Sequence, residues 1–335
     1  MPLPIGSTLG IFADNIRKRK SVLPLGAAKV TAWARGLNIP AGGETVLYTG
    51  QMYQLMPSIN SMSRQLAGIE NSWIANFFGF GRMANKVINL SAFMAHAGAA
   101  EQAAYNRPLQ NIARLLNAAG IKFGYLYQHD LYAGALAYDE GLDDAFAAHA
   151  AMIHEMLKAA GVKELITVDP HTTNILRSIY PRVIKGFDIR VKSYLEVLAE
   201  CKMDSVRSID EEVTIHDSCI YARHEDVVDQ PRVLLKNGGV KIIEAELSSK
   251  LTNCCGGPLE SLFPGKAAEI ARRRLDQLSG CAQRIITLCP ICLANLQHFA
   301  PPDISVGDIS DYLAQAYCPA DRVSAKKSAR CRIGM

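Results

Sequence analysis

Three short clusters, His216-Asp217-Ser218-Cys219, Cys254-Cys255-Gly256-Gly257 and Cys289-Pro290-Ile291-Cys292, decide how the rest of the chain is read. They hold five of the nine cysteines, with 34 residues between Cys219 and Cys254 and 33 between Cys255 and Cys289. Adjacent cysteines do not readily close a disulfide on each other, and Cys-x-x-Cys is the spacing that aims two thiolates at one metal centre. Each cluster stands just after a strand-like run or in the loop beyond one: Val213-Thr214-Ile215, Val240-Lys241-Ile242-Ile243-Glu244 and Ile285-Ile286-Thr287-Leu288. In open α/β sheets, sites form outside the carboxyl ends of strands. The three clusters therefore read as one metal or iron–sulfur site assembled from three loops.

Working outward, the same order of segments occurs once before, from Glu44. Thr45-Val46-Leu47-Tyr48 leads to Gln51 as Val213-Thr214-Ile215 leads to Cys219. Lys122-Phe123-Gly124-Tyr125-Leu126 leads to Tyr132-Ala133-Gly134 as the strand after Val240 leads to Cys254-Cys255-Gly256. A helical face of Phe146, Ala150, Ile153 and Leu157 answers one of Ala267, Ala271, Leu275 and Leu278. Leu165-Ile166-Thr167-Val168 then leads to Asp169-Pro170-His171-Thr172 as Ile285-Ile286-Thr287-Leu288 leads to Cys289-Pro290-Ile291-Cys292. The closing match is Ser193-Tyr194-Leu195 with Asp311-Tyr312-Leu313. Strand, helix, strand alternation in both halves predicts an α/β protein of two pseudo-repeated, Rossmann-like domains with mainly parallel sheets.

The expected division is a peripheral extension at 1–43, a first domain at 44–205, a second at 206–318 and a basic tail at 319–335. The first domain carries an apolar, aromatic-rich insertion of about 56–106, containing Trp73 to Gly81; it is read as a helical hairpin or a docking surface. Because Gln51, Tyr132, Ala133, Asp169 and Thr172 stand where the second half has cysteines, the first half offers no soft ligand and one site is expected per chain. Asp169 and His171 are read as turn residues around Pro170 rather than as ligands.

A net charge of +4 over 335 residues and 7% aromatic content give no basis for nucleic-acid binding. The run Arg17-Lys18-Arg19-Lys20 is read as a solvated face. Neither a secretory signal nor an apolar run of membrane-spanning length is found, so a membrane role would require an anchoring partner. Clustered cysteines in odd number suit a reducing cytoplasm better than a secreted disulfide framework. Cys201, Cys281, Cys318 and Cys331 show no mutual ligand spacing and are read as structural or exposed thiols.

Cys, 34 residues, Cys-Cys-Gly, 33 residues, Cys-Pro-x-Cys resembles the cysteine-rich CCG domain of the B and D subunits of heterodisulfide reductase. It is also similar to the C subunit of glycerol-3-phosphate dehydrogenase and to lactate-utilisation proteins, and the resemblance covers residues 44–318. It implies a non-cubane [4Fe-4S] cluster held by Cys219, Cys254, Cys255, Cys289 and Cys292. The function it implies is that of an iron–sulfur oxidoreductase subunit that reduces a disulfide or relays electrons. Family members with two intact motifs are thought to cleave a disulfide between paired clusters; the first half here departs from that pattern at every ligand. No Cys-x2-Cys-x2-Cys-x3-Cys-Pro run occurs, so electrons would arrive through a partner's ferredoxin-like cluster, flavin or haem. His216 and Asp217, beside Cys219, are candidates for hydrogen-bonding the sulfurs or donating protons; the alternative for His216 is a strand-end histidine bonded to backbone. Structural zinc, which four of the five thiolates would satisfy, is the rival occupant, and a zinc-stabilised interaction subunit the rival function.

Overall fold

A computed structural model describes residues 5–23, 25–67 and 98–318. Trp73 to Gly81, Cys331 and the basic tail lie outside the described residues, as does the middle of the expected insertion.

The chain forms helix α1 (Ile5–Arg19), strand β1 (Thr45–Tyr48), α2 (Met52–Ala67) and α3 (Ala99–Ala118). Next come β2 (Gly124–Tyr125), α4 (Asp143–Ala159), β3 (Glu164–Thr167), α5 (Pro170–Asn174), β4 (Arg190–Ser193) and α6 (Tyr194–Glu200). The second half runs β5 (Glu212–His216), α7 (Asp229–Asn237), β6 (Lys241–Ile242), α8 (Pro264–Ser279), β7 (Arg284–Thr287), α9 (Pro290–Phe299), β8 (Ser305–Asp308) and α10 (Ile309–Tyr317). Two four-stranded sheets result, in the orders β2-β1-β3-β4 and β6-β5-β7-β8. All strand pairs are parallel, so the two sheets share one topology and the fold is α/β with two Rossmann-like sheets.

The pairing fixes the internal alignment. Tyr48 lies beside Thr167 and His216 beside Thr287, which places Gln51 opposite Cys219 and Asp169 opposite Cys289 in the repeat. The expected closing match needs correction. Ser193 and Asp308 each end the fourth strand and cap the following helix, accepting from the N–H of Leu195 and Ser310, so Ser193 answers Asp308 rather than Asp311.

Alternation along β1 buries Val46 and Tyr48 in one core and Leu47 in another; β3 does the same with Leu165 and Ile166. Both faces of the first sheet are thus covered, as parallel sheets require. The core beneath Leu47 and Ile166 runs on into the second half through Val213, Ile215, Ile285 and Cys289. The segment before Glu44, expected to be peripheral, contributes to both cores. Phe12 and Ile16 of α1 join one, while Trp33 is fully buried in the other and donates to the Tyr125 hydroxyl at 3.1 Å. Arg17 and Lys18 remain exposed, since they occupy the outer face of α1.

Polar ties also join the halves. Tyr53 donates to Asp308 at 2.7 Å, and Asn111 to Asp311 at 2.8 Å. Arg177 lies in a π-helical turn at Ile175–Ile179 and pairs with Glu196 and with the buried Glu225, which belongs to a second π-helical turn at Tyr221–Glu225. The Tyr221 hydroxyl also meets Ser193 at 2.8 Å. This seam begins two residues after Cys219.

Candidate metal centre

The three cysteine loops converge. Cys219 hydrogen-bonds Cys254, Cys254 contacts Cys255, Cys255 lies 3.2 Å from Cys292, and Cys292 hydrogen-bonds Cys289. All five are free thiols in one unbroken line of contacts. Cys255, Cys289 and Cys292 are buried, whereas Cys219 and Cys254 are half-exposed.

Local sequence explains each position. β5 ends at His216, so the chain leaves the sheet at Asp217 and Cys219 sits just beyond the strand's carboxyl end. Cys289 is the N-cap of α9 with Pro290 at the first helical position, which suits proline because that N–H has no partner inside the helix. Cys292 therefore falls in the first turn of α9. In the middle cluster Gly256 has φ +82°, a left-handed conformation that glycine adopts without strain. A side chain at Gly257 would place its Cβ 2.2 Å from Ile291 Cγ2 and 3.3 Å from Cys255 Sγ. The double glycine is the condition for bringing the Cys-Cys pair against the Cys-Pro-Ile-Cys turn.

The thiols ionise unequally. Hydrogen bonds from Cys219 and Cys255, with the Gly256 N–H at 3.2 Å, hold Cys254 far below the usual thiol range. Burial raises Cys289, yet hydrogen bonds from Cys292 and His171 outweigh it and keep that thiol well down. The hydrogen bond to Cys254 pushes Cys219 and Cys255 up, and that to Cys255 raises Cys292. Each thiolate suppresses ionisation of the next. A multiply charged metal centre removes that repulsion, so the donor set fits a group that takes up several thiolates together.

His216 is buried beside this line. Its side chain and those of Cys255 and Cys292 present ligand atoms within 4.8 Å of one another. Its Nδ1 accepts from the Arg274 guanidinium at 3.2 Å. Since arginine is only a donor, a neutral imidazole here carries its proton on Nε2, which has no hydrogen-bond partner among the described residues. Burial and the Arg274 charge lower the His216 pKa to about 3, so the ring is neutral. Arg274 is itself buried, held by the Leu247 carbonyl at 3.0 Å and by Gln277 at 3.1 Å.

Asp217 is engaged elsewhere. Its two oxygens receive Arg232 bidentately at 2.8 and 2.9 Å, and one also accepts the Ser249 N–H at 2.7 Å. Arg232 and Ser249 thus tie the Cys219 loop to α7 and to the segment entering Cys254. That geometry makes Asp217 a clamp between loops, distinct from the proton-donor role considered from the sequence.

In the first half, side chains fill the corresponding place. Asp130 accepts from the Thr49 N–H at 3.1 Å, the Thr49 hydroxyl and the Tyr125 hydroxyl at 3.1 Å. Gln51 donates to the Asp130 carbonyl at 2.8 Å, and the Tyr180 hydroxyl to the Ala133 carbonyl at 3.0 Å. Asp169 caps α5 by accepting the Thr172 N–H at 3.0 Å, whereas the Cys289 side chain at the matching N-cap of α9 makes no cap hydrogen bond. His171, read from the sequence as a turn residue, reaches across to hydrogen-bond Cys289. Sequence reasoning also passed over Arg274, although an arginine between Ala271 and Leu278 on the apolar face of α8 was a visible irregularity.

A family model described as a cysteine-rich domain, CCG, matches residues 213–297. The matched stretch contains all five converging cysteines. The chain is 33% identical over 203 residues to an EtfAB:quinone oxidoreductase of Syntrophomonas wolfei, a match covering 56% of this chain and 28% of the relative. It is 30% identical over 230 residues to a probable iron–sulfur-binding oxidoreductase, FadF, of Bacillus subtilis, covering 65% and 32%. It is 29% identical over 219 residues to the D subunit of the dihydromethanophenazine:CoB–CoM heterodisulfide reductase of Methanosarcina mazei, covering 61% and 54%. The chain thus spans between about a quarter and just over half of these relatives' lengths. Among the described residues no helix is long and apolar enough to cross a membrane.

Proposed function

We propose that this chain is an iron–sulfur redox subunit of a larger complex, in which Cys219, Cys254, Cys255, Cys289 and Cys292 hold one non-cubane [4Fe-4S] cluster. The observation that carries this reading is the convergence of five free cysteines from three loops, with Cys255 3.2 Å from Cys292 and His216 beside them. The likeness to named iron–sulfur oxidoreductases supports it. A bound cluster supplies one-electron steps at a potential set by burial and by hydrogen bonds to its sulfurs.

The chain's own residues define the surroundings. Cys255, Cys289 and Cys292 form the buried side, so an electron donor or a disulfide substrate approaches at the half-exposed Cys219 and Cys254. His216 lies beside Cys255 and Cys292, and with Arg274 on its Nδ1 its Nε2–H is the proton left to offer to a sulfur of the bound cluster. The Asp217–Arg232 clamp holds the first two loops in register. The 206–318 unit is assigned cluster binding, and the 44–205 unit shapes the side facing it. The partner is a redox protein bearing an iron–sulfur, flavin or haem group, and the compartment a reducing cytoplasm.

Zinc is favoured by one observation, the closeness of His216, Cys255 and Cys292. Arg274 argues against His216 as its ligand, because a histidine whose Nδ1 accepts from arginine must lose its last proton before Nε2 ligates a cation, which leaves zinc only the thiolates. Electron paramagnetic resonance of anaerobically isolated protein tests the assignment. A cluster signal is expected in the wild type and in Cys281→Ser, and its loss or conversion in Cys255→Ser. An identical spectrum in Cys255→Ser contradicts the ligand set.

A further inference from the structure

The two proline turns after β3 and β7 face each other across the seam. Each sends its third residue into the opposite half: Ile291 packs against the first half's core, and His171 reaches Cys289. The His171 side chain is only 7% exposed, and its Nδ1 stands 3.6 Å from Asp139 Oδ2. Asp139, 31% exposed, ends the short helix Ala135–Asp139 that follows Gly134, the counterpart of Gly256 in the Cys-Cys-Gly cluster. A carboxylate and a cysteine sulfur thereby both neighbour one imidazole across the two halves. This arrangement resembles the carboxylate–histidine pairs that orient rings at metal sites.

We infer that His171, supplied by the half that lacks the cysteines, donates an N–H hydrogen bond to the Cys289 sulfur and sets the reduction potential there, with Asp139 as the residue that positions the ring. The inference rests on the iron–sulfur reading above. A hydrogen bond to a ligating sulfur draws electron density from it and stabilises the reduced, more negative state, which raises the potential. One electron enters on reduction and no proton changes atoms; the hydrogen bond is present in both states. The first half is in this view the source of a tuning group for the second half's site.

A redox titration at fixed pH, followed by electron paramagnetic resonance, tests this on full-length protein. His171→Leu keeps bulk and removes the donor, so its midpoint is expected to fall below wild type while iron content is retained. His171→Gln, with an amide N–H at similar reach, is expected to recover part of the shift. Asp139→Ala, outside the ligand set, is expected to give an intermediate fall. If His171→Leu loses its iron, Asp139→Ala becomes the deciding variant. Unchanged midpoints in iron-loaded variants overturn this inference alone. A wild-type chain that takes up no iron or sulfide overturns the reading on which it rests.

Discussion

Gly257 shows how narrowly the site is specified at the level of one atom. Gly257→Ala puts a methyl into Ile291 and against the Cys255 sulfur. Overpacking of this kind costs about 1–3 kcal/mol, and the cost falls on the turn that positions three cysteines. Urea unfolding should show that loss, and Ile291→Ala introduced into the same chain should recover much of it. Failure of the second change to help would mean that the clash is relieved elsewhere. Arg274 makes the same point with charge. Its replacement by Met removes donors from His216, Leu247 and Gln277. His216 is then free to take the other tautomer, so Arg274→Met should alter the cluster spectrum as well as stability. The cysteines were legible in the sequence because chemistry demands that residue type at short spacing. His171 and Arg274 were not legible, because their partners lie 118 and 58 positions away, at Cys289 and His216, and only the fold brings them together.

Among elements, the inner strands and the edge strands β2 and β6 were readable, whereas the edge strands β4 and β8 were not. β1, β3, β5 and β7 carry apolar, β-branched runs because both faces are covered. β4 and β8 are edge strands reading Arg-Val-Lys-Ser and Ser-Val-Gly-Asp, with few apolar residues, so they gave no strand signal and the closing match slipped to Asp311. The seam between the two π-helical turns carries a prediction at this scale. Removing the Glu225 side chain, 1% exposed, leaves Arg177 with Glu196 and the backbone carbonyl of residue 225. With Arg177 a quarter exposed, Glu225→Ala is expected to cost about 2–3 kcal/mol, less than a fully buried pair. Differential scanning calorimetry should register the loss, together with faster exchange of amides in Tyr221–Glu225; an unaltered transition would remove the seam from the account. The polar network that fills the first half predicts a pH effect. Burial raises the Asp130 pKa from 3.8 to about 7. A raised folded-state value stabilises the fold below the unfolded value, and that contribution is lost as pH rises through about 7. Stability measured from pH 5 to 8 should therefore fall less steeply in Asp130→Asn than in wild type, and parallel curves would contradict the burial of that charge.

Across the whole molecule, the repeat provides two equal scaffolds used differently. The second sheet keeps its cysteines at the carboxyl ends of its strands, while the first fills the equivalent space with Asp130, Tyr132 and Tyr180 and turns His171 outward to its neighbour. The shared core and the Tyr53–Asp308, Asn111–Asp311 and Arg177–Glu225 ties hold that neighbour in place. The sequence comparison of the halves showed which half lacks the cysteines; it did not reveal that His171 of that half neighbours Cys289. The central claim is that one chain carries one iron–sulfur cluster on five thiols. Metal and acid-labile sulfide analysis of anaerobically purified protein tests it most directly. About four iron and four sulfide per chain are predicted, falling sharply in Cys255→Ser; one tightly held zinc and no iron would contradict the account.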